Sequence, residues 1–168
     1  HDRIDVLPGS GVDLEAFKYA PLQPRAGRKF RFLLIARLLR DKGIMEFVEA
    51  ARMFKVERDD VEFYMMGETV VDNPAAISTE MLKAWEQEGV ITHLGFQRDV
   101  RAEIIAADCV VLPSYREGTP RVLMEAAATG RPVVTTNAVG CREVVQDGVT
   151  GLLCAIKDAK DLKEKMQR

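Results

Sequence analysis

Apolar positions follow two patterns that alternate along the chain. Short continuous apolar runs are typical of strands buried on both faces of a parallel sheet, whereas apolar residues spaced three or four apart indicate helices packed on one side. The runs predict strands over residues 4–7, 30–36, 61–66, 90–94, 109–112, 132–136 and 151–154. Helical spacing predicts helices over 44–55, 75–88, 99–107, 120–129, 142–146 and 158–167. This alternation predicts an α/β fold, a parallel sheet with helices on both faces.

Composition narrows the class of protein. A length of 168 residues, 47% of them hydrophobic and 30% charged, fits one domain with a real core. The net charge of −2 argues against a nucleic-acid partner. Three cysteines, Cys109, Cys141 and Cys154, lie in or beside apolar runs without metal-ligand spacing, so we expect buried free thiols in a reducing compartment.

The sequence also bears on location and completeness. No apolar run approaches the roughly 18–20 residues that span a bilayer, and no signal peptide is visible. We therefore expect a cytoplasmic protein. The chain begins at His1 rather than at a methionine, and we expect it to be a fragment of a longer protein.

The predicted carboxyl ends of the strands carry most of the unusual chemistry. Ligands of parallel α/β folds bind outside these ends. The residues found there are Gly9, Gly11, Arg37, Lys42, Gly67, Gly95, Phe96, Glu117, Gly118, Thr136 and Gly140. This edge of the sheet is therefore the candidate ligand site.

A basic loop follows the second predicted strand. Arg37 and Lys42 flank a turn that ends in Gly43, just before a predicted helix, and such cations beside helix N-terminal amides suit a phosphate or diphosphate. The alternative is a solvated basic surface, since residues 25–42 hold seven basic side chains and one acid. The basic residues before the strand are expected to form plain surface or to contact anionic lipid head groups; they are Arg25, Arg28 and Lys29.

Two glutamates flank the helix start at Pro120. Glu117 falls in the loop before the helix and Glu125 about one turn into it, beside helix N-terminal amides. Carboxylates in such a place can accept hydrogen bonds from sugar hydroxyls. The alternative is a pair of ordinary first-turn acids, with Glu125 pairing Arg121. A glycosidase is poorly supported, because no facing wall of an active site is evident.

Other candidates have a simpler interpretation. Neither GxGxxG after the first strand nor GxxxxGK[ST] occurs, which argues against dinucleotide dehydrogenases and P-loop proteins. No Asp-x-Asp occurs, and the two histidines share no ligand spacing, so we expect no metal. Trp85 and the Met65-Met66 pair are interpreted as core residues, and His93 as a hydrogen-bonded structural histidine.

Three motifs in order resemble the family 4 retaining glycosyltransferases. The run from Glu117 to Glu125 (EGTPRVLME), followed by GRPVV at 130–134, resembles the E-x7-E signature of that family. Residues 37–43 (RLLRDKG) match its R-L-x3-K-G loop, and 9–17 (GSGVDLEAF) resemble its interdomain hinge. LPSYREGTPRVLMEA, with DNP at 72–74, is most similar to capsular and O-antigen sugar transferases that use a UDP-N-acetylhexosamine or a related UDP-sugar.

This resemblance implies a GT-B fold, in which two Rossmann-like lobes enclose the active site. The chain is similar to the C-terminal, donor-binding lobe only. Residues 1–168 are therefore expected to form one nucleotide-sugar-binding domain, a fragment that lacks the N-terminal acceptor lobe of such enzymes. The implied partners are a UDP-sugar donor, a lipid-linked or saccharide acceptor and the N-terminal lobe. No metal cofactor is implied. The expected location is the cytoplasm, with peripheral contact to the inner face of the cell membrane.

The resemblance also assigns roles to residues. Arg37 and Lys42 would hold the diphosphate and neutralise charge on the leaving group, Glu125 would bind the ribose hydroxyls, and Glu117 would contact the donor sugar near the reacting centre. Phe96 would line the base pocket. The stretch that would surround the phosphates and sugar consists of Gly118, Thr119, Pro120, Arg121 and Val122.

Two departures from the family pattern bear on donor choice: Thr119 stands where Phe or Leu is frequent, and Gly67-Glu68 replaces a G-x-G. Two alternatives stay open. One is a UDP-sugar epimerase on the same two-lobed fold, and the other is a nucleotide-binding module without chemistry.

Overall fold

A computed structural model describes residues 11–70 and 72–168. Its strands are β1 (Phe30–Ile35), β2 (Val61–Met66), β3 (Thr92–His93), β4 (Cys109–Leu112), β5 (Val133–Thr136) and β6 (Leu152–Cys154). They form one sheet in the order β3-β2-β1-β4-β5-β6, and every neighbouring pair is parallel. The order reverses direction between β1 and β4, which makes the crevice at their carboxyl ends the expected ligand site of such a sheet.

In the part of the chain that the structure describes, six α-helices cover the two faces of the sheet. They are α1 (Ile44–Glu57), α2 (Thr79–Gln87), α3 (Arg101–Ala106), α4 (Arg121–Thr129), α5 (Cys141–Val144) and α6 (Ala159–Gln167), with a 3-10 turn at Arg40–Lys42. Because side chains alternate along a strand, β1 sends Phe32 and Leu34 into one core and Leu33 into another. The first core contains α1, α2 and α6, and the second contains α3 and α4. The predicted arrangement, a parallel sheet with helices on both faces, is confirmed.

Most predicted boundaries agree with the structure within two residues, and α2 is the main exception. The helix predicted from residue 75 begins at Thr79, because Ser78 caps it by accepting a hydrogen bond from the Met81 amide at 3.2 Å. The residues before the cap pair instead with the basic loop: Ala76 bridges Leu39, and the Ile77 amide donates to the Leu38 carbonyl.

The other differences are smaller. The strand predicted over 90–94 is reduced to the two residues of β3, and the helix predicted from residue 99 begins at Arg101, whose amide donates to Asp99 Oδ1. The predicted strand 4–7, Gly9 and the first two residues of the hinge-like segment 9–17 lie outside the described residues.

Predictions about the interior are confirmed. Cys109, Cys141 and Cys154 are buried free thiols. Trp85 and Met65-Met66 lie in the core. Within residues 11–70 and 72–168, no helix combines the length and the apolar character needed to cross a membrane.

Candidate functional site

The loop after β1 is held tightly against the end of β4. Leu38 and Leu39 are buried and anchor it, while Gly43 joins the 3-10 turn to α1 with φ of 71°. A Cβ at Gly43 would lie 2.0 Å from the Pro113 carbonyl oxygen. Only glycine fits this close approach, which brings the start of α1 to the crevice between β1 and β4.

The loop after β4 lies beside this basic loop. The Asp41 carbonyl accepts hydrogen bonds from the Tyr115 amide at 2.8 Å and from Ser114 Oγ at 3.2 Å. Behind the loop, Gly140 has φ of 82°, and a Cβ there would lie 2.2 Å from the Gly118 carbonyl oxygen. Segments following β1, β4 and β5 therefore meet at the predicted edge.

The basic loop and the glutamate loop are joined by an ion pair. Lys42 Nζ lies 2.7 Å from Glu117 Oε1, and the two side chains are only 13% and 16% exposed. Both residues were predicted to belong to the site, but nothing in the sequence predicted this direct contact. A cation and a carboxylate thus lie together, largely shielded from water, at the switch point of the sheet.

The N-terminus of α4 lies beside this pair. No side chain among the described residues caps the helix, and the amides of Gly118, Thr119, Arg121 and Val122 make no hydrogen bond within that part of the chain. Gly118 and Arg121 are exposed, Thr119 and Val122 half-buried, and Pro120 buried at the N-cap. Free amides at a helix N-terminus form a positive end that favours anions.

Glu125 lies one turn into α4 and is 8% exposed. Burial raises the pKa of its carboxyl group, and the nearby Arg121 guanidinium opposes that rise. The two side chains are 3.5 Å apart, and Arg121 is 72% exposed. The ordinary i, i+4 pairing is therefore present, but its partner faces water and can move away, so hydroxyl binding by Glu125 remains a prediction.

Arg37 and Phe96 form no hydrogen bond or ion pair with Lys42 or Glu117. Arg37 is exposed and pairs with no acid in the described ranges. Phe96 is 61% exposed and follows β3, which is separated from β1 by β2. Both stay on the predicted edge of the sheet as accessible side chains, and their binding roles remain predictions.

His93 is structural, as predicted. Its Nε2 lies 2.8 Å from the Gly67 carbonyl oxygen, and the Gly67 amide donates to the Gly95 carbonyl at 2.9 Å. These bonds join the ends of β2 and β3. Because a Cβ at Gly67 would lie 1.8 Å from the Ala36 carbonyl oxygen, glycine also permits the close approach of β1 and β2 here.

The sequence did not reveal Tyr115 and Glu46 as site residues. The Tyr115 hydroxyl donates to Glu46 Oε1 at 2.7 Å across a separation of 69 positions. An aromatic residue inside the polar loop after β4 is a weak signal for Tyr115. Nothing local marks Glu46, which reads as an ordinary acid in the first turn of α1.

The basic residues before β1 lie at the opposite, amino-terminal edge of the sheet. Arg25 pairs with Asp60 at 3.0 Å and Arg28 with Asp108 at 2.5 Å, while Arg31, at the start of β1 itself, pairs with Glu103. Arg25 and Arg28 thus take part in ion pairs within the fold, and the lipid contact predicted for them stays a prediction. A groove of about 900 Å³ lies at this edge, and none of the predicted site residues lines it.

No group of three or more His, Cys, Asp or Glu side chains within residues 11–70 and 72–168 is arranged to hold a metal ion. The chemistry offered by the site is thus an ammonium, two carboxylates and helix amides.

The chain is similar to known sugar transferases. It is 33% identical to N,N'-diacetylbacillosaminyl-diphospho-undecaprenol alpha-1,3-N-acetylgalactosaminyltransferase of Campylobacter jejuni, over 98% of this chain and 44% of that protein. Sucrose-phosphate synthase of Thermosynechococcus elongatus superposes with a TM-score of 0.80 at 25% identity, over 97% and 42% of the two chains. Anabaena HepE, in the structure of its complex with UDP-glucose, superposes with a TM-score of 0.76 at 25% identity. The match covers 94% of this chain and 45% of HepE.

The chain therefore spans less than half the length of each of these relatives. Its sheet is the Rossmann-like lobe of a GT-B glycosyltransferase, as the resemblance implied. The family model described as "Glycosyl transferases group 1" matches residues 29–168. The chain belongs to the group 1 glycosyl transferases.

Proposed function

We propose that this chain is the donor-binding lobe of a retaining glycosyltransferase. It binds a UDP-sugar, with an N-acetylhexosamine as the sugar, for transfer to a lipid-linked or polysaccharide acceptor in surface polysaccharide synthesis. The acceptor is bound by an N-terminal lobe of the same protein. The reaction takes place in the cytoplasm, with the enzyme in peripheral contact with the membrane.

The observation that carries this proposal is the shielded pair of Lys42 and Glu117 beside the free amides of α4. A nucleotide diphosphate placed here would meet the Lys42 ammonium and the positive end of the helix. Arg37 would add a second cation from the exposed part of the same loop. These groups would stabilise negative charge as it develops on the leaving diphosphate, which is where electrostatic catalysis acts most strongly.

The glutamates would hold the neutral parts of the donor. Glu117 uses Oε1 for Lys42, which leaves Oε2 to accept a hydrogen bond from a hydroxyl of the donor sugar. Glu125 would accept hydrogen bonds from the ribose hydroxyls after Arg121 moves aside. Phe96 would contact the uracil base from the loop after β3.

Related proteins support the choice of donor and acceptor. The Campylobacter relative is named for transferring N-acetylgalactosamine to a diphospho-undecaprenol acceptor. The Anabaena neighbour was solved with UDP-glucose. The cations that would meet the diphosphate are side chains, so donor binding would need no metal cofactor. A chelator should therefore leave UDP binding unchanged.

A nucleotide panel tests the proposal through thermal stability. UDP, UDP-GalNAc, UDP-GlcNAc, UDP-glucose, UMP, ADP and GDP would each be added to the chain. A ligand at about 100 times its Kd stabilises by about 2.7 kcal/mol, which raises the Tm by about 5 °C or more in a domain of this size. We expect that rise for UDP and UDP-sugars and a smaller one for UMP. Equal rises with ADP and GDP, or none with UDP, would contradict the proposal.

Product analysis distinguishes transfer from epimerisation. A chain that carries both lobes would be incubated with UDP-GlcNAc or UDP-GalNAc, with and without a lipid-diphosphate acceptor. The proposal predicts sugar transfer only when the acceptor is present. Accumulation of an epimerised sugar without acceptor would identify the epimerase instead.

A further inference from the structure

Tyr115 contacts the helix that follows the basic loop. Its hydroxyl donates to Glu46 Oε1 at 2.7 Å, and Glu46 lies in the first turn of α1, four residues after Lys42. The other carboxylate oxygen of Glu46 is buried and has no partner among the described residues. The tyrosine hydroxyl is therefore the group that fixes this side chain, and with it the first turn of α1.

The main chain of Tyr115 fixes the other side of Lys42. The Tyr115 amide donates to the carbonyl of Asp41 at 2.8 Å, and Asp41 directly precedes Lys42. Glu117, the partner of Lys42, is two residues after Tyr115. One residue thus contacts the backbone before Lys42 and the helix after it, while carrying the loop that presents Glu117.

A third loop reaches the same ring. The ammonium of Lys157, from the loop between β6 and α6, lies 4.9 Å from the centroid of the Tyr115 ring, a distance at which a cation is attracted to an aromatic face. Burial raises the pKa of the Tyr115 phenol, and its hydrogen bond to Glu46 raises it further. The hydroxyl therefore remains a proton donor to Glu46 at neutral pH.

We propose that Tyr115 is a positioning residue that holds Lys42 and Glu117 in register before the donor arrives. This inference rests on the proposed function, because the effect of holding Lys42 and Glu117 in place is measured as affinity for a diphosphate. A preformed site avoids the entropy of ordering the lysine and both loops when the ligand binds. Without the hydroxyl, that ordering cost falls on the binding step, and UDP affinity decreases.

The test compares UDP dissociation constants, by titration calorimetry, among four variants. Tyr115→Phe removes the hydroxyl but keeps the ring, and Glu46→Ala removes its acceptor, so both should weaken UDP binding about fivefold to tenfold. Glu46→Gln keeps an oxygen that can accept the same bond and should restore binding to within about twofold.

Tyr64→Phe is the matched control. The Tyr64 hydroxyl donates to Glu62 at 2.9 Å, and the Arg31 guanidinium lies 3.8 Å from its ring, so the variant loses the same kind of bond in β2. We expect its UDP affinity to equal that of the wild type. An equal loss in Tyr64→Phe would show a general stability effect and would overturn the assignment.

The remaining outcomes are also decisive. Wild-type affinity in a folded Tyr115→Phe protein would overturn the role of Tyr115 while leaving the proposed function intact. If Tyr115→Phe does not fold, equal UDP affinity of Glu46→Ala and Glu46→Gln would overturn it. Absence of UDP binding by the wild type would instead contradict the proposed function, and it would contradict the positioning role of Tyr115 as well.

Discussion

The Lys42 ammonium lies 2.7 Å from Glu117 Oε1, although the two residues are 75 positions apart and follow different strands. The contact exists because β1 and β4 are neighbours at the point where the strand order reverses. It places a charge suited to a diphosphate next to a carboxylate suited to a sugar hydroxyl. The geometry of the proposed donor site depends on this pair.

Replacing Gly43 should destabilise the fold more than replacing Gly95, because only Gly43 lies against another part of the chain. Both have φ near 70°, but a Cβ at Gly43 would lie 2.0 Å from the Pro113 carbonyl oxygen, whereas one at Gly95 would meet nothing within 4 Å. Gly95→Ala should cost about 1 kcal/mol of unfolding free energy, and Gly43→Ala at least about twice that because the loops must separate. Urea denaturation measures both variants. Equal losses would show that the contact with Pro113 does not matter.

Asp108 should stabilise the fold in a pH-dependent way. Burial alone would raise the pKa of its carboxyl group, but hydrogen bonds from the Arg28 guanidinium and the Arg31 amide produce a net lowering. Its contribution is therefore present above the ordinary aspartate value of 3.8 and is lost as the pH falls through the lowered value. Asp108→Asn should cost about 2 kcal/mol at pH 7 and progressively less in acid.

The control for Asp108 is Asp99→Asn. Asp99 pairs with Arg101 at 2.6 Å, but both side chains are more than half exposed. Its replacement should leave the unfolding free energy nearly unchanged, because solvent screens exposed pairs. A similar cost for both aspartates, or a cost for Asp108→Asn that does not vary with pH, would contradict the account.

Glu125 should show the opposite pH dependence. Burial raises the pKa of its carboxyl group, so the charged form destabilises the fold, and stability falls as the pH rises from the ordinary glutamate value of 4.5 through the raised value. Glu125→Gln should therefore melt at a higher temperature than the wild type at pH 7, with the difference shrinking toward pH 4. The same variant should bind UDP more weakly, because a neutral amide accepts ribose hydrogen bonds less strongly.

Glu164→Gln, which replaces an exposed acid on α6, is the control for Glu125, and its melting temperature at pH 7 should equal that of the wild type. A lower melting temperature for Glu125→Gln at pH 7 would show that Glu125 is stabilising when charged. Unchanged UDP affinity would remove its proposed contact with the ribose.

The sequence predicted the sheet well because buried parallel strands leave a local signature. The apolar runs at 61–66 and 109–112 agree with β2 and β4 to the residue. The predicted start of α2 was wrong because a long-range bridge between Leu39 and Ala76 competes with helix formation before Ser78. Local periodicity cannot show such a partner.

In the candidate site, too, the residues with a local sequence signal could be predicted and the long-range contacts could not. Lys42 and Glu117 could be selected from the sequence because each lies in a short motif after a predicted strand. Their ion pair, and the hydrogen bond between Tyr115 and Glu46, join positions 75 and 69 residues apart. These contacts arise from strand order and from close approach at Gly43, which become visible only in three dimensions.

Titration of UDP into the wild-type chain and into Lys42→Ala tests the central claim most directly. Lys83→Ala, an exposed lysine on α2, serves as the matched control, and circular dichroism checks that all three proteins are folded. A charge-assisted hydrogen bond contributes about 1.5–3 kcal/mol, so Lys42→Ala should bind UDP at least about tenfold more weakly, while Lys83→Ala binds like the wild type. Wild-type UDP affinity in a folded Lys42→Ala protein would contradict the claim that the site at Lys42 and Glu117 holds the donor diphosphate.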